Sequence, residues 1–316
     1  MNPFVNILVV IDPSTEDQKA LKRAIELTLK NNSQVSQLTM FLCVFDLSYE
    51  LTSMLSSSER DSMRSAVIES REDWLNSIID TLPHITANIC LKVVWHRRPY
   101  EVIIEEVIHN QYDLVIKGTH QHDTLKSIIF TPTDWHLLRK CPAPLLLVKD
   151  HNWPKNGDII AAVNIGSDEE EHQSLNNKIT ESAQYLAHII EGNVHLVNAF
   201  PGTPVNISIE IPEFDSSEYT HTMRNQHEKS MLKHAITFSI EPKNTHVAEG
   251  LPEIVIAEIT GTLDAELVVL GTIGRTGLSA ALIGNTAEHV IDNLNCDLLA
   301  IKPEGYVSPL QKQIAF

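Results

Sequence analysis

The sequence predicts an α/β protein of two homologous domains, each built on a parallel β-sheet. Three observations predict it. The 316 residues suffice for two ordinary domains of roughly 150 residues each. Shifting the chain by 153 residues lays Pro99–Lys149 over Pro252–Lys302 without a gap. Fourteen of those 51 positions are identical, Gly118, Thr119 and Lys149 among them, where chance would give roughly three. Each half also alternates short continuous apolar runs with helical patterns. Such runs are strands buried on both faces, joined by right-handed helical crossovers.

In order along the first half, NILVVID (6–12) reads as a strand and Asp17–Lys30 as an amphipathic helix. LTMFLCVF (38–45) is a second strand, followed by a loop and a helix around Arg60–Leu82. NICLKVVW, helix Tyr100–Asn110, strand DLVIKG, helix Asp134–Arg139 and strand LLLVK complete the half. In the second half, DIIAAVNIG (158–166) lies over NILVVIDPS (6–14) at a shift of 152, and VHLVNAF, ELVVLG and DLLAIK are further strands. The stretch HNWPKNG (151–157) has the polar, Pro/Gly punctuation of a linker. The expected domains are therefore 1–150 and 157–304. Ligands of such sheets sit outside the carboxyl ends of the strands, so the ends of the first and fourth strands are where a site belongs.

Composition narrows the function. Apolar residues make up 43% of the chain and charged residues 21%, which excludes wholesale disorder. The net charge of −17 is uneven: residues 1–152 carry 15 basic and 19 acidic side chains, residues 153–316 carry 9 and 22. So acidic a chain repels phosphate backbones, and direct nucleic-acid binding is not expected. No run reaches the 18 apolar residues of a spanning helix. NPFVNILVVIDP lacks a basic leader and a cleavage site, so it reads as a buried strand. No membrane association is expected. Cys43, Cys90, Cys141 and Cys296 form no metal-knuckle or disulfide pattern and read as reduced, mostly buried thiols of a cytosolic protein.

The strongest chemical signal follows the fourth strand of the second half, in GTIGRTGLSAALIGNTAEHVID. Gly271 and Gly274 let the backbone turn sharply and approach a phosphate with no Cβ in the way. Gly284-Asn285-Thr286 opens a helix that Asn285 and Glu288 would cap. A helix start aims unpaired N–H groups and a partial positive charge at an anion. Arg275 lies within the loop. Glycines singly are turn-makers; three at this spacing, between a buried strand and a capped helix, favour an anion cradle.

The spacing G-x-x-G, nine residues, then G followed by a small polar residue resembles the ATP-binding signature of universal stress proteins, and the whole chain is similar to the tandem, E-type members. NILVVIDP, VVWHRRP, FTPTDWHLLRKCPAP and VVLGTIGRTGLSAALIGNTAEHVID carry the likeness. The resemblance implies two Rossmann-like domains of the adenine nucleotide alpha hydrolase type. Each would have a five-stranded parallel sheet, the two docked as an intramolecular pseudo-dimer through their final strands, with scope for a further homodimer. It implies a cytoplasmic role in survival under starvation, oxidative stress and DNA damage, with ATP or ADP, with or without Mg²⁺, as ligand. Carried over by position, Gly271, Gly274, Gly284, Asn285 and Thr286 would hold phosphates, Leu270 would lie beneath the nucleoside and the backbone near Ala199 would face adenine. The acid common at the end of the first strand is Asn164 here, which donates and accepts but carries no charge. Asn285 replaces the usual Ser/Thr, with Thr286 adjacent.

The first half keeps the acid, Asp12, but not the loop: Gln121 and Thr131 replace the second and third glycines, and Pro132 lacks an N–H. This half is expected not to bind ATP in the family manner, although Thr133-Asp134-Trp135-His136 still reads as a helix start. Its loop is rich in another chemistry. His120 and His122, with Asp123, His136 and His96, could bind zinc, against a bland reading of solvated histidines. His172, His195, His221 and His227 read as surface or packing residues, and segment 200–222 as a cleft lining or cover. No P-loop, G-x-S-x-G elbow or H-E-x-x-H helix occurs. Without a recognisable base, any ATP turnover is expected to be slow. The competing functions are a nucleotide-independent scaffold for unidentified protein partners and a small-molecule or metal carrier.

Overall fold

Strand-forming runs and amphipathic helices alternate through the chain as the repeat requires. The computed structural model describes residues 4–30, 35–51, 56–121, 128–129, 131–149, 152–167, 169–202, 215–272, 290–291 and 294–311. The chain divides into two compact units, one of Asn2–Lys149 with Val307–Phe316, the other of Asp150–Tyr306. The last segment thus packs with the first half, where Ser308 and Leu310 are buried.

The N-terminal unit contains β1 (Asn6–Val10), α1 (Lys19–Lys30), β2 (Gln37–Val44), α2 (Leu47–Leu51), α3 (Ser57–Ile79), β3 (Asn88–Trp95), α4 (Pro99–Asn110) and β4 (Leu114–Gly118). A small hairpin of β5 (His120–Gln121) and β6 (Ile128–Ile129), then α5 (Pro132–Lys140) and β7 (Leu145–Val148), complete it. Its main sheet runs β3-β2-β1-β4-β7, and each neighbouring pair is parallel. Central strands are apolar because both faces are covered: Ile7, Leu8 and Val9 of β1 and Val115 and Ile116 of β4 are fully buried. β3, at the edge, has no buried residue, with Asn88 and Lys92 exposed and the rest half-exposed. α3 starts with a capping box in which Ser56 and Glu59 satisfy each other's backbone N–H groups. α4 begins with Pro99 and ends on Gln111 at φ 51°, a left-handed stop.

The C-terminal unit repeats the plan with β8 (Asp158–Ala162), α6 (Glu170–Ile190), β9 (Asn193–Phe200), α7 (Ser216–Thr237), β10 (Thr245–Glu249), α8 (Pro252–Leu263), β11 (Leu267–Gly271) and β12 (Asp297–Ile301). Its sheet order is β10-β9-β8-β11-β12, again parallel throughout. In both units the order reverses beside the first strand, opening a crevice at the carboxyl ends of β1 and β4 and of β8 and β11. The short, polar β10 (THVAE) gave no apolar run to find in the sequence. Of the four thiols, Cys141 and Cys296 are buried, but Cys43 and Cys90 are half-exposed, so the expectation of mostly buried thiols holds for two. Cys43 donates to the His96 carbonyl, and burial pushes its thiol up to about 11.

Candidate functional site

The crevice of the C-terminal unit begins at Asn164, two residues past β8. Asn176 of α6, itself buried, fixes this point from both sides. Its Oδ1 accepts from the Asn164 N–H at 2.9 Å, and its Nδ2 donates to the Asn164 carbonyl at 2.8 Å. With its backbone pinned, Asn164 is exposed at this strand end. Ala199, half-buried near the end of β9, pairs with Ala248. Leu270 is buried between Ala162 and Ala300 on the neighbouring strands, an apolar floor one residue short of the strand end. Gly271 ends the strand, and a Cβ there would stand 2.7 Å from Leu175 Cδ2, so a larger residue would require that leucine side chain to shift. Thr272 anchors the exit of β11, donating its N–H to the Ile301 carbonyl at 3.1 Å and accepting from Lys302 Nζ at 2.7 Å. Gly274, Arg275, Gly284, Asn285 and Thr286 lie outside the described residues.

The matching crevice of the N-terminal unit is furnished differently. Gln18 pins the Asp12 backbone as Asn176 pins Asn164, accepting from its N–H at 3.0 Å and donating to its carbonyl at 2.7 Å. The Asp12 carboxylate, however, is already engaged: Oδ1 accepts from the N–H of Ser14 at 2.9 Å and from its hydroxyl at 2.6 Å. Beyond Gly118, Gln121 enters the antiparallel β5–β6 pairing opposite Ile128. The helix expected at Thr133 starts instead at Pro132, which needs no N–H partner at that position. Thr131 and Asp134 form its capping box, and Asp134 Oδ2 accepts from the Thr131 N–H at 2.7 Å. Asp134 is fully buried, and its Oδ1 lies 2.7 Å from Lys117 Nζ, itself largely buried. An internal carboxylate therefore holds the helix start that an exogenous anion would need. At the matching positions the C-terminal half carries Leu270 and Ala287.

The residues considered for zinc are drawn elsewhere where they are described. His96 Nδ1 lies 3.2 Å from the Arg98 N–H, and His136 stacks on Tyr100 with ring centroids 3.9 Å apart. His120 lies in β5, and His122 is outside the described residues. Among the described residues no group of three or more His, Cys, Asp or Glu side chains could hold a metal.

His227, which the sequence reads as a surface or packing residue, is buried against specific partners. Asn198 of β9 donates Nδ2 to the Val163 carbonyl at 3.0 Å, while its Oδ1 lies 2.8 Å from His227 Nδ1. His227, on α7, packs against Phe200, and Arg224 lies over the same phenyl ring, 5.4 Å from its centroid. The available signal was an asparagine within the apolar run VHLVNAF.

Burial depresses the proton affinity of His227, His234 and His246, and of His136, where Lys140 and Arg139 add to the effect. Unfolded histidines take up a proton near pH 6.5 while these four resist it. The unfolded state thus gains protons first, and the stability they confer is present above that pH and lost below it. Thermal midpoints should fall between pH 7.5 and 5.5; an unchanged midpoint would contradict these burial assignments.

Comparison with known proteins is consistent along the whole chain. The model of the universal stress protein family matches residues 3–149 and again 168–302. The chain is 50% identical over 312 residues to universal stress protein E of Salmonella typhi, covering 98% of each chain. It is 49% identical to universal stress protein E of Escherichia coli K12, with the same coverage. The solved structure of a functionally unknown protein from Pseudomonas aeruginosa PAO1 superposes with a TM-score of 0.71 at 28% identity, over 95% of this chain and 93% of that one.

Proposed function

Because this chain belongs to the universal stress protein family, we propose that it is a cytoplasmic stress-response protein whose C-terminal unit binds an adenine nucleotide. Survival under starvation, oxidative stress or DNA damage is the role this reading assigns it. One contrast supports the nucleotide assignment. The C-terminal crevice has an apolar floor at Leu270 and the glycine sequence of the following loop. The N-terminal crevice has Lys117 and Asp134 at the corresponding places.

Asn164 and the backbone near Ala199 would address the nucleoside. Gly271, Gly274, Gly284, Asn285 and Thr286 would receive the phosphates through backbone N–H groups and small side chains, and Arg275 would add a positive charge. Bound ATP or ADP, with or without Mg²⁺, acts here as a signal or stabiliser, and turnover is slow. A ligand held only by the folded protein stabilises it by about 2.7 kcal/mol at a hundredfold excess over its dissociation constant. Saturating ATP–Mg²⁺ should therefore raise the thermal midpoint by several degrees. No shift at millimolar nucleotide would contradict the assignment and favour a nucleotide-independent scaffold.

A further inference from the structure

At equivalent positions in the two sheets, one unit carries a buried leucine and the other a buried asparagine. Val10 of β1 is in register with Phe41, and Ala162 of β8 with Val197. The next residues, Leu42 and Asn198, therefore correspond, and both are buried, at 0% and 2% exposure. An apolar residue thus satisfies this position in one copy of the fold. The other copy places a carboxamide and an imidazole there, His227 being 6% exposed. Buried polar groups add nothing to stability over a well-packed apolar pair unless every bond is made.

The contact between Asn198 and His227 fixes the orientation of both groups. Asn198 commits its Nδ2 to the Val163 carbonyl, so the atom it presents to His227 is an acceptor. Nδ1 of the neutral imidazole must then carry the proton, and Nε2 is left as a lone pair. The ring lies beneath Gly166, in the turn that follows β8 and begins the crevice. A Cβ at Gly166 would stand 2.5 Å from His227 Cε1 and 3.1 Å from Nε2, so glycine at 166 is what admits the ring edge to this turn. The N-terminal unit has Ser14 at the matching position. It also has a carboxylate, Asp12, where the C-terminal unit has the uncharged Asn164.

Resting on the nucleotide reading above, we propose that His227 is a ligand-contacting residue whose Nε2 accepts a hydrogen bond from a ribose hydroxyl of the bound nucleotide, with Asn198 as the positioning residue that sets its tautomer. The imidazole supplies a neutral acceptor to a crevice whose strand end lacks a carboxylate. Nucleotides with intact ribose are the class it selects.

The test is a cycle between ligand and side chain. Dissociation constants for ATP, 2′-deoxy-ATP and 3′-deoxy-ATP are measured on the full chain and on His227→Leu and Asn198→Leu. Circular dichroism confirms that each variant folds. A neutral hydrogen bond makes one deoxy analogue bind the wild type about five- to tenfold more weakly than ATP. That penalty should vanish in His227→Leu and shrink in Asn198→Leu. A wild type that binds all three equally, or a penalty that survives in the variants, overturns the role of His227 and leaves the nucleotide reading standing. No binding of any of the three to the wild type overturns both. Should His227→Leu fail to fold, the wild-type comparison and Asn198→Leu still decide.

Discussion

Lys117→Leu is expected to destabilise the N-terminal unit by about 3–5 kcal/mol, the usual cost of stranding one member of a buried ion pair. Asp134 has no exposed surface, and its Oδ1 lies 2.7 Å from the Lys117 ammonium. Its Oδ2 is already committed to Thr131. Remove the lysine, and a charged oxygen remains in a low-dielectric interior unless the carboxyl takes up a proton. The double change Lys117→Leu with Asp134→Ala should restore most of the loss, because it recreates the Leu270 and Ala287 of the other half. A residual cost of about 1 kcal/mol is expected from the broken capping box. Denaturant unfolding of the single and double variants measures both effects. Equal losses in the two would mean that the pair does not act as a unit.

If the proposed nucleotide assignment holds, Gly284→Trp weakens ATP binding by at least about a hundredfold, since a bulky side chain in place of a phosphate-facing glycine denies phosphate the close approach of N–H groups. Thr131→Trp, at the matching place in the other half, should leave nucleotide affinity unchanged and cost about 1 kcal/mol through the lost cap. Two variants with the same chemistry thus have opposite expected effects on binding. Equilibrium binding of a fluorescent ATP analogue would separate them. Similar losses in both variants would place nucleotide in both halves.

Much of this architecture was legible before any coordinates. Apolar runs located β1, β2, β3, β4, β7, β8, β9, β11 and β12, and in all of these but the edge strand β3 burial on both faces leaves little other composition available. β10 escaped notice because THVAE is an edge strand whose exposed half tolerates polar residues. The β5–β6 hairpin escaped because two-residue strands carry no periodicity. At the candidate site, the places of Asn164 just past β8 and of Gly271 at the end of β11 could be read locally, while Gly274 and Gly284 lie outside the described residues. The Lys117–Asp134 pair could not: its members are seventeen residues apart and meet only when β4 and α5 pack. Asn198 and His227 pose the same difficulty, being 29 residues apart on a strand and a helix. Aligning the two halves strand by strand, rather than by identity alone, would have set Asn198 against Leu42 and shown the anomaly.

Isothermal titration of the full chain with ATP–Mg²⁺ addresses the division of labour between the halves most directly. About one site per chain is expected, abolished by Gly284→Trp and retained in Thr131→Trp. Two equivalent sites per chain, or a single site that survives Gly284→Trp, would contradict that division.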